Sequence, residues 1–156
     1  MSEMEKLAEK LKQQKLQNEA KQVNSAELIE DWVFSLDILV SNIELWLQPL
    51  VDANVLRMKR ETIHISENPH PELRTRYPAP VLTLTVNGSE VKIKTKGRYF
   101  AGSVGRVDIE AGMKVWIVTR HVDAGKESWI IRRQGDTKDA VAFNSDSLAK
   151  ALEDYL

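Results

Sequence analysis

The chain has 156 residues, 42% of them hydrophobic and 29% charged, and a formal net charge of −1, as in one ordinary globular domain. The lack of cysteine excludes disulfides, thiol catalysis and cysteine-ligated metal centres, and it fits a reducing compartment. The N-terminus is charged from its third residue, and no apolar run approaches the roughly 18 residues of a membrane span. We therefore expect a cytoplasmic protein without membrane contact.

Charge is distributed unevenly along the chain. Residues 1–54 carry five lysines and ten acidic residues, whereas residues 55–138 carry sixteen basic and nine acidic residues. The predicted helices are therefore acidic and the predicted sheet is basic. Two explanations remain open: the helices neutralise the sheet within the molecule, or a basic sheet face is left open for an anionic partner.

Residues 3–22 consist mainly of strong helix formers. Their apolar residues stand at approximately helical spacing and include Met4, Leu7, Leu11 and Leu16. This stripe is too narrow for a buried helix, and a helix of this length is marginally stable on propensity alone. The segment is either a partly frayed arm or a helix that docks on a second chain, with a copy of itself as the first candidate. We place the arm at residues 1–23 and a single α+β domain at residues 24–156.

A second helix start is indicated at Asn24. This residue is a good N-cap, and Glu27 stands three residues later, as in a capping box. The apolar residues that follow recur every three or four positions and define a stripe that is expected to cover the sheet: Leu28, Trp32, Leu36, Leu39, Ile43, Trp46 and Leu50. Pro49 lacks an N–H group and is expected to end the regular helix near Leu47.

The stretch at 66–80, SENPHPELRTRYPAP, contains four of the five prolines and follows a predicted strand at 55–65. Its composition predicts a long loop, and such loops inside compact domains are uncommon and usually functional or disordered. Extended, proline-rich backbone with Arg74, Arg76 and Tyr77 is consistent with a recognition segment. An insertion without a function is the alternative.

The strongest local signal is a β-hairpin at 81–96, VLTLTVNGSEVKIKTK. Hydrophobic alternation on both sides of Asn87-Gly88 predicts a two-residue turn and fixes the register, with Val86 opposite Ser89. The opposite face of this hairpin is polar and is able to stand in water. The face that must be covered carries Leu82, Leu84, Val86, Val91 and Ile93.

The remainder of the chain predicts further strands and a closing helix. Glycines within 97–112 punctuate one bent strand or two short ones, residues 113–133 form a second hairpin, and residues 140–143 form a short strand. Asn144 or Ser145 begins a short C-terminal helix. The predicted fold class is α+β, with helices packed on a curved antiparallel sheet of about six strands, a half-barrel or roll.

A ladder of basic residues with period two lies in the second strand of the first hairpin, at Lys92, Lys94, Lys96 and Arg98. If the strand stays regular across Gly97, these side chains share the outer face, and Arg106 widens the patch from a neighbouring strand. Nucleic-acid-binding proteins hold phosphates with such ladders. A lysine-rich face that keeps the sheet soluble is the alternative.

Histidines give a weak metal signal. His64 and His70 lie close to Glu67 and Glu72, with His121 elsewhere on the sheet. Two imidazoles and a carboxylate are able to hold a divalent ion, but this spacing matches no ligand signature. We therefore predict no metal and no cofactor.

Three functions remain in order of preference. The first is a non-enzymatic interaction or adaptor module that self-associates through its N-terminal helix, so that a homo-oligomer or a protein partner is expected. The second is a nucleic-acid-binding protein that uses the basic ladder and Arg106. The third is a metal-dependent hydrolase around His64 and His70.

Overall fold

The computed structural model describes residues 2–70, 73–98, 104–136 and 138–155, apart from the side chains of residues 18–25, 68–70, 73 and 74. Two helices flank a run of strands. Helix α1 spans Glu3–Asp52, and helix α2 spans Ser145–Glu153. The strands are β1 Leu56–His70, β2 Leu73–Val86, β3 Ser89–Gly97, β4 Arg106–Ala111, β5 Lys114–Asp123, β6 Lys126–Arg133 and β7 Val141–Ala142.

The strands form one open, antiparallel, seven-stranded sheet in the order of the sequence, from β1 to β7. The predicted α+β class with helices on a curved antiparallel sheet is confirmed, with seven strands where about six were expected. The register around Asn87-Gly88 is also as predicted, because Val86 lies opposite Ser89 and Leu82 lies opposite Ile93. Both turn residues have positive φ, at 50° and 79°, as this turn requires.

Helix α1 is continuous, which differs from the two helices that the sequence predicts. The backbone stays helical through Asn24, so the start signal at that residue is not used. Glutamate, lysine, glutamine and alanine on both sides favour the helix, whereas an asparagine and a serine inside it cost only a few tenths of a kcal/mol each. At about 1.5 Å per residue the helix spans roughly 75 Å, far more than the sheet covers.

The end of α1 also differs from the prediction, because Pro49 lies inside the helix and the helix ends at Asp52. Pro49 deprives the Leu45 carbonyl of its partner, but both residues stand on the exposed side, where water is able to replace the lost bond. The helix is closed by Asn54 at φ 60°, with N–H groups of Asn54 and Val55 donating to carbonyls of the last turn. This is a Schellman motif.

The proline-rich stretch is a β-hairpin in the described residues, and the predicted loop is wrong. Residues 56–70 and 73–86 pair in register from Leu56 opposite Val86 to Glu67 opposite Thr75. The pairing of β2 with β3 covers only Val81–Val86. In the described part of the chain the outer half of β2 therefore has no ladder partner along one edge, and prolines are tolerated at such an edge because their missing N–H is not needed there.

The core lies between α1 and one face of the sheet. The covered hairpin face is buried as predicted, at Leu82, Leu84, Val86, Val91 and Ile93. The helix contributes Ile29, Trp32, Leu36, Leu39, Val40, Ile43 and Leu47. Two members of the predicted helical stripe, Leu28 and Leu50, are 42% and 37% exposed because they stand at the margins of the covered segment. Helix α2 completes the core with Leu148, Ala151 and Leu152.

Candidate interaction surfaces

The first candidate surface is the N-terminal part of α1, residues 3–17, which we call the arm. All of its side chains are exposed. The exposure of its apolar members is 74% for Met4, 48% for Leu7, 54% for Leu11 and 58% for Leu16. With 3.6 residues per turn, Met4, Leu7 and Leu11 continue the line of the buried helical stripe, whereas Leu16 points to the opposite side. The sheet-facing stripe of α1 thus extends past the sheet.

The second surface is a groove of about 580 Å³ between α1 and the β1–β2 hairpin. Its apolar lining is formed by Ile29, Val33, Phe34, Pro78, Ala79 and Pro80. The groove is open along one flank of α1, and apolar clefts of this size are typical binding surfaces. Phe34 is 66% exposed, which is unusual for a phenylalanine beside a core.

Sequence reasoning missed the apolar residues on the outer side of α1. Besides Phe34, Ile38 is 45% exposed and Leu45 is 71% exposed. These positions lie four and seven residues apart and therefore share the side of the helix that faces away from the sheet. The available signal was that they fell outside the apolar stripe assigned to the core, although an outer face is normally polar.

The rim of the groove is charged. Arg60 on β1 donates to Glu44 at 2.9 Å and also to Asp37, and both acidic residues lie on α1. The sequence has no lysine or arginine between residues 22 and 56. The α1 wall of the groove is therefore acidic, with Glu30 and Asp37 among its lining residues.

Tyr77, predicted as a recognition residue, lies in the core with 3% exposure. Its hydroxyl accepts a hydrogen bond from Trp32 Nε1 at 3.1 Å and donates one to Glu67 Oε2 at 2.6 Å. The same carboxylate accepts the backbone N–H of Arg98 at 3.0 Å. Burial, together with the nearby Glu67 carboxylate, raises the pKa of Tyr77 well above its usual range. This tyrosine joins the helix to the hairpin and is not available to a partner.

The predicted recognition segment also included Arg76 and Arg74. Arg76 is exposed on β2, opposite Ser66. The side chain of Arg74 lies outside the described residues, so its part in recognition stays a prediction.

Replacing Tyr77 by phenylalanine is expected to lower the free energy of unfolding by roughly 1–3 kcal/mol, because the buried Trp32 Nε1 loses its acceptor. Urea unfolding followed by tryptophan fluorescence measures this loss. A matched control is Tyr155→Phe, which removes a hydroxyl that donates to the Ile109 carbonyl at 2.7 Å from a half-buried position. A larger loss in the control than in Tyr77→Phe would contradict the anchoring role of Tyr77.

A second anchor surrounds Arg120 on β5, whose side chain is 4% exposed. It donates to Asp31 of α1 and to Glu127 of β6, both at 2.7 Å. Ser35 of α1 also donates to Glu127, at 2.6 Å. Burial raises the pKa of Glu127, but the hydrogen bonds from Ser35 and Arg120 outweigh burial and hold it below its ordinary value. These groups fix α1 onto the sheet.

The outer sheet face carries mixed charge and not a uniform basic ladder. Lys96 pairs with Glu110 at 2.6 Å, and Lys92 lies 3.5 Å from Glu90. Lys94 lies directly opposite Asp108 on the neighbouring strand. Opposite charges at such positions stabilise a sheet and reduce its attraction for phosphate.

Arg98 does not extend the ladder as predicted, whereas Arg106 stands on the same side of β4 as Asp108, which faces Lys94. Arg106 donates to Asp108 at 2.8 Å, and this hydrogen bond raises its pKa above the ordinary value. The pairing of β3 with β4 shifts between Thr95 and Gly97, which marks a bulge. The bulge changes the alternation, so Arg98 falls on the opposite side from Lys94, and the assumption of a regular strand across Gly97 was wrong.

The histidines are dispersed in the described part of the chain. His64 is exposed on β1, and His121 shares a 2.8 Å hydrogen bond with Thr119 on β5. Among the described residues there is no group of three or more histidine, aspartate or glutamate side chains that is able to hold a metal ion. The side chain of His70 and all of Glu72 lie outside those residues, so the proposed site around them stays untested.

Comparison with known proteins adds no functional information: no protein-family model, no curated protein and no solved structure matches the chain. None of the described helices combines the length and the apolar character needed to cross a membrane.

Proposed function

We propose that this protein is a non-enzymatic interaction module that self-associates through its N-terminal helix and acts in the cytoplasm. The single observation that carries the proposal is the arm itself. It is a helical extension whose apolar stripe continues the core-facing side of α1 and stays exposed among the described residues of its own chain.

Physical chemistry supports a partner for the arm. An isolated helix of about 15 residues is marginal in water, and helices in proteins draw most of their stability from packing of an amphipathic face. In the arm that face is apolar and exposed at Met4, Leu7 and Leu11. A second copy of the chain is always present and supplies such a surface without any further component.

The test is a pair of double variants that add the same charge to different sides of the arm. We expect Leu7→Glu with Leu11→Glu to abolish self-association, so that the chain runs at its monomer mass of 17.8 kDa in light scattering behind a sizing column. Gln13→Glu with Gln17→Glu, off the stripe, is expected to retain the mass of the native assembly. Equal masses for the native chain and both variants would contradict the proposal.

A further inference from the structure

We infer that the arm docks in the groove of a second copy of this chain and that the partner's arm returns the contact. Two α1 helices then lie side by side and antiparallel. This inference rests on the self-association proposed above and names the surface that receives the arm. The dimer is two-fold symmetric, because each copy offers the same two surfaces and uses both.

The 3.6-residue repeat of α1 places the apolar stripe of the arm on the same side of the helix as the residues that face the sheet. Leu7 and Leu11 point in the same direction as Trp32 and Leu36, which face the sheet. An arm that runs beside the partner's α1 therefore turns these leucines towards the partner's sheet. In the register given below, Leu11 lies at the Asp37 end of the groove, whose sheet side is lined by the apolar 78–80 segment of β2, and Leu7 lies beyond that end.

The residues on the flank of α1, at the side of the groove, also fit this antiparallel arrangement. Val33 and Asp37 line the groove and lie about a quarter turn from the sheet-facing side of the helix. Lys12 and Lys15 lie on that same flank of the arm. Antiparallel helices related by a two-fold axis must meet through the same flank, so each arm presents its lysines to the partner's groove wall without any bend in the helix.

Charge complementarity selects this occupant. Over residues 3–17 the arm carries four lysines and three glutamates, a net charge of +1, whereas residues 22–56 of the same chain contain acidic residues and no lysine or arginine. Pairing of two acidic walls is disfavoured, and pairing of a basic arm with an acidic wall is favoured. The contact with Lys12 opposite Asp37 sets the register.

In this register Ala8 of one copy lies opposite Ser41 of the other, and Met4 lies opposite Leu45. Ala8 and Ser41 are both small and exposed.

The absence of native cysteine allows a direct test of the register. In the variant Ala8→Cys with Ser41→Cys, mild oxidation is expected to link two chains, so that the protein runs at twice 17.8 kDa on a non-reducing gel. A link within one chain is impossible, because the two positions are roughly 50 Å apart on a straight helix. Either single variant is expected to stay at the monomer mass, and an unchanged unfolding midpoint shows that the double variant folds.

The outcomes separate the two proposals. A native chain of dimeric mass whose double variant does not cross-link overturns the groove inference and leaves self-association standing. Strong cross-linking of Ala8→Cys alone indicates parallel arms and likewise overturns only the groove inference. A native chain of monomeric mass overturns both.

Discussion

Gly105→Ala is expected to lower the free energy of unfolding by on the order of 3 kcal/mol, the combined cost of overpacking and backbone strain. A Cβ at this position would stand 2.3 Å from Cζ3 and 2.4 Å from Cη2 of Trp32. The backbone adds strain, because Gly105 has a φ of +152°. Trp32 is unable to move aside, since it is fully buried, stacks on Trp129 at 5.8 Å and donates to Tyr77.

Gly112→Ala is the matched control for this substitution. Gly112 has a φ of +61°, but a Cβ there would meet nothing within 4 Å. It therefore reports the cost of an alanine in the left-handed region with no side-chain contact, about 1 kcal/mol. Urea unfolding followed by tryptophan fluorescence compares the two variants, and equal losses would show that the contact of Trp32 with Gly105 does not limit the packing of α1 on the sheet.

The second large loss of stability is expected when both carboxylates around Arg120 are removed. Asp31→Asn with Glu127→Gln leaves a nearly buried guanidinium without a counter-charge, and we expect a loss of roughly 3 kcal/mol of unfolding free energy. Glu127 accounts for most of it, because the Asp31 side chain is 58% exposed and water screens its charge. The control, Asp37→Asn with Glu44→Gln, removes the two partners of the partly exposed Arg60 and is expected to cost under about 1 kcal/mol.

Lowering the pH is also expected to reduce the free energy of unfolding through Glu127. Because the pKa of Glu127 is lowered in the folded state, its contribution is present above its ordinary pKa of about 4.3 and is lost as pH falls through the lower folded value. The native chain therefore loses stability below that pH more steeply than the variant with Asp31→Asn and Glu127→Gln. Urea midpoints measured as a function of pH test this, and parallel curves would contradict the role assigned to Glu127.

Sequence patterns predicted the parts of the fold that local chemistry determines. The Asn87-Gly88 turn requires positive φ and fixes its own register, so both its strands and their covered face were correct. Pro49 and Asn24 are equally local signals, yet the helix passes both. At Asn24 the local cost is only a few tenths of a kcal/mol. At Pro49 it is larger, about 3 kcal/mol in a helix interior, but the lost bond lies on the exposed side and the helix ends three residues later, at Asp52.

The candidate surfaces depend on contacts between distant segments, which spacing alone does not show. The bulge at Gly97 moves Arg98 away from the lysines, and period-two counting assumes that no bulge exists. Tyr77 is hydrogen-bonded to Trp32, 45 residues earlier in the chain, so its burial was not visible in the proline-rich pattern. The arm could be identified from the sequence because its apolar stripe lies within one short segment. The groove could not, because it forms only where α1 lies beside β2.

The most direct test of the central claim is the mass of the native, full-length chain in solution, measured by sedimentation equilibrium over a wide range of protein concentration. Self-association through α1 predicts a mass that rises from 17.8 kDa to twice that value as concentration increases. Removal of residues 1–17 is expected to abolish the rise. A constant 17.8 kDa for the full-length chain at every concentration would contradict the account.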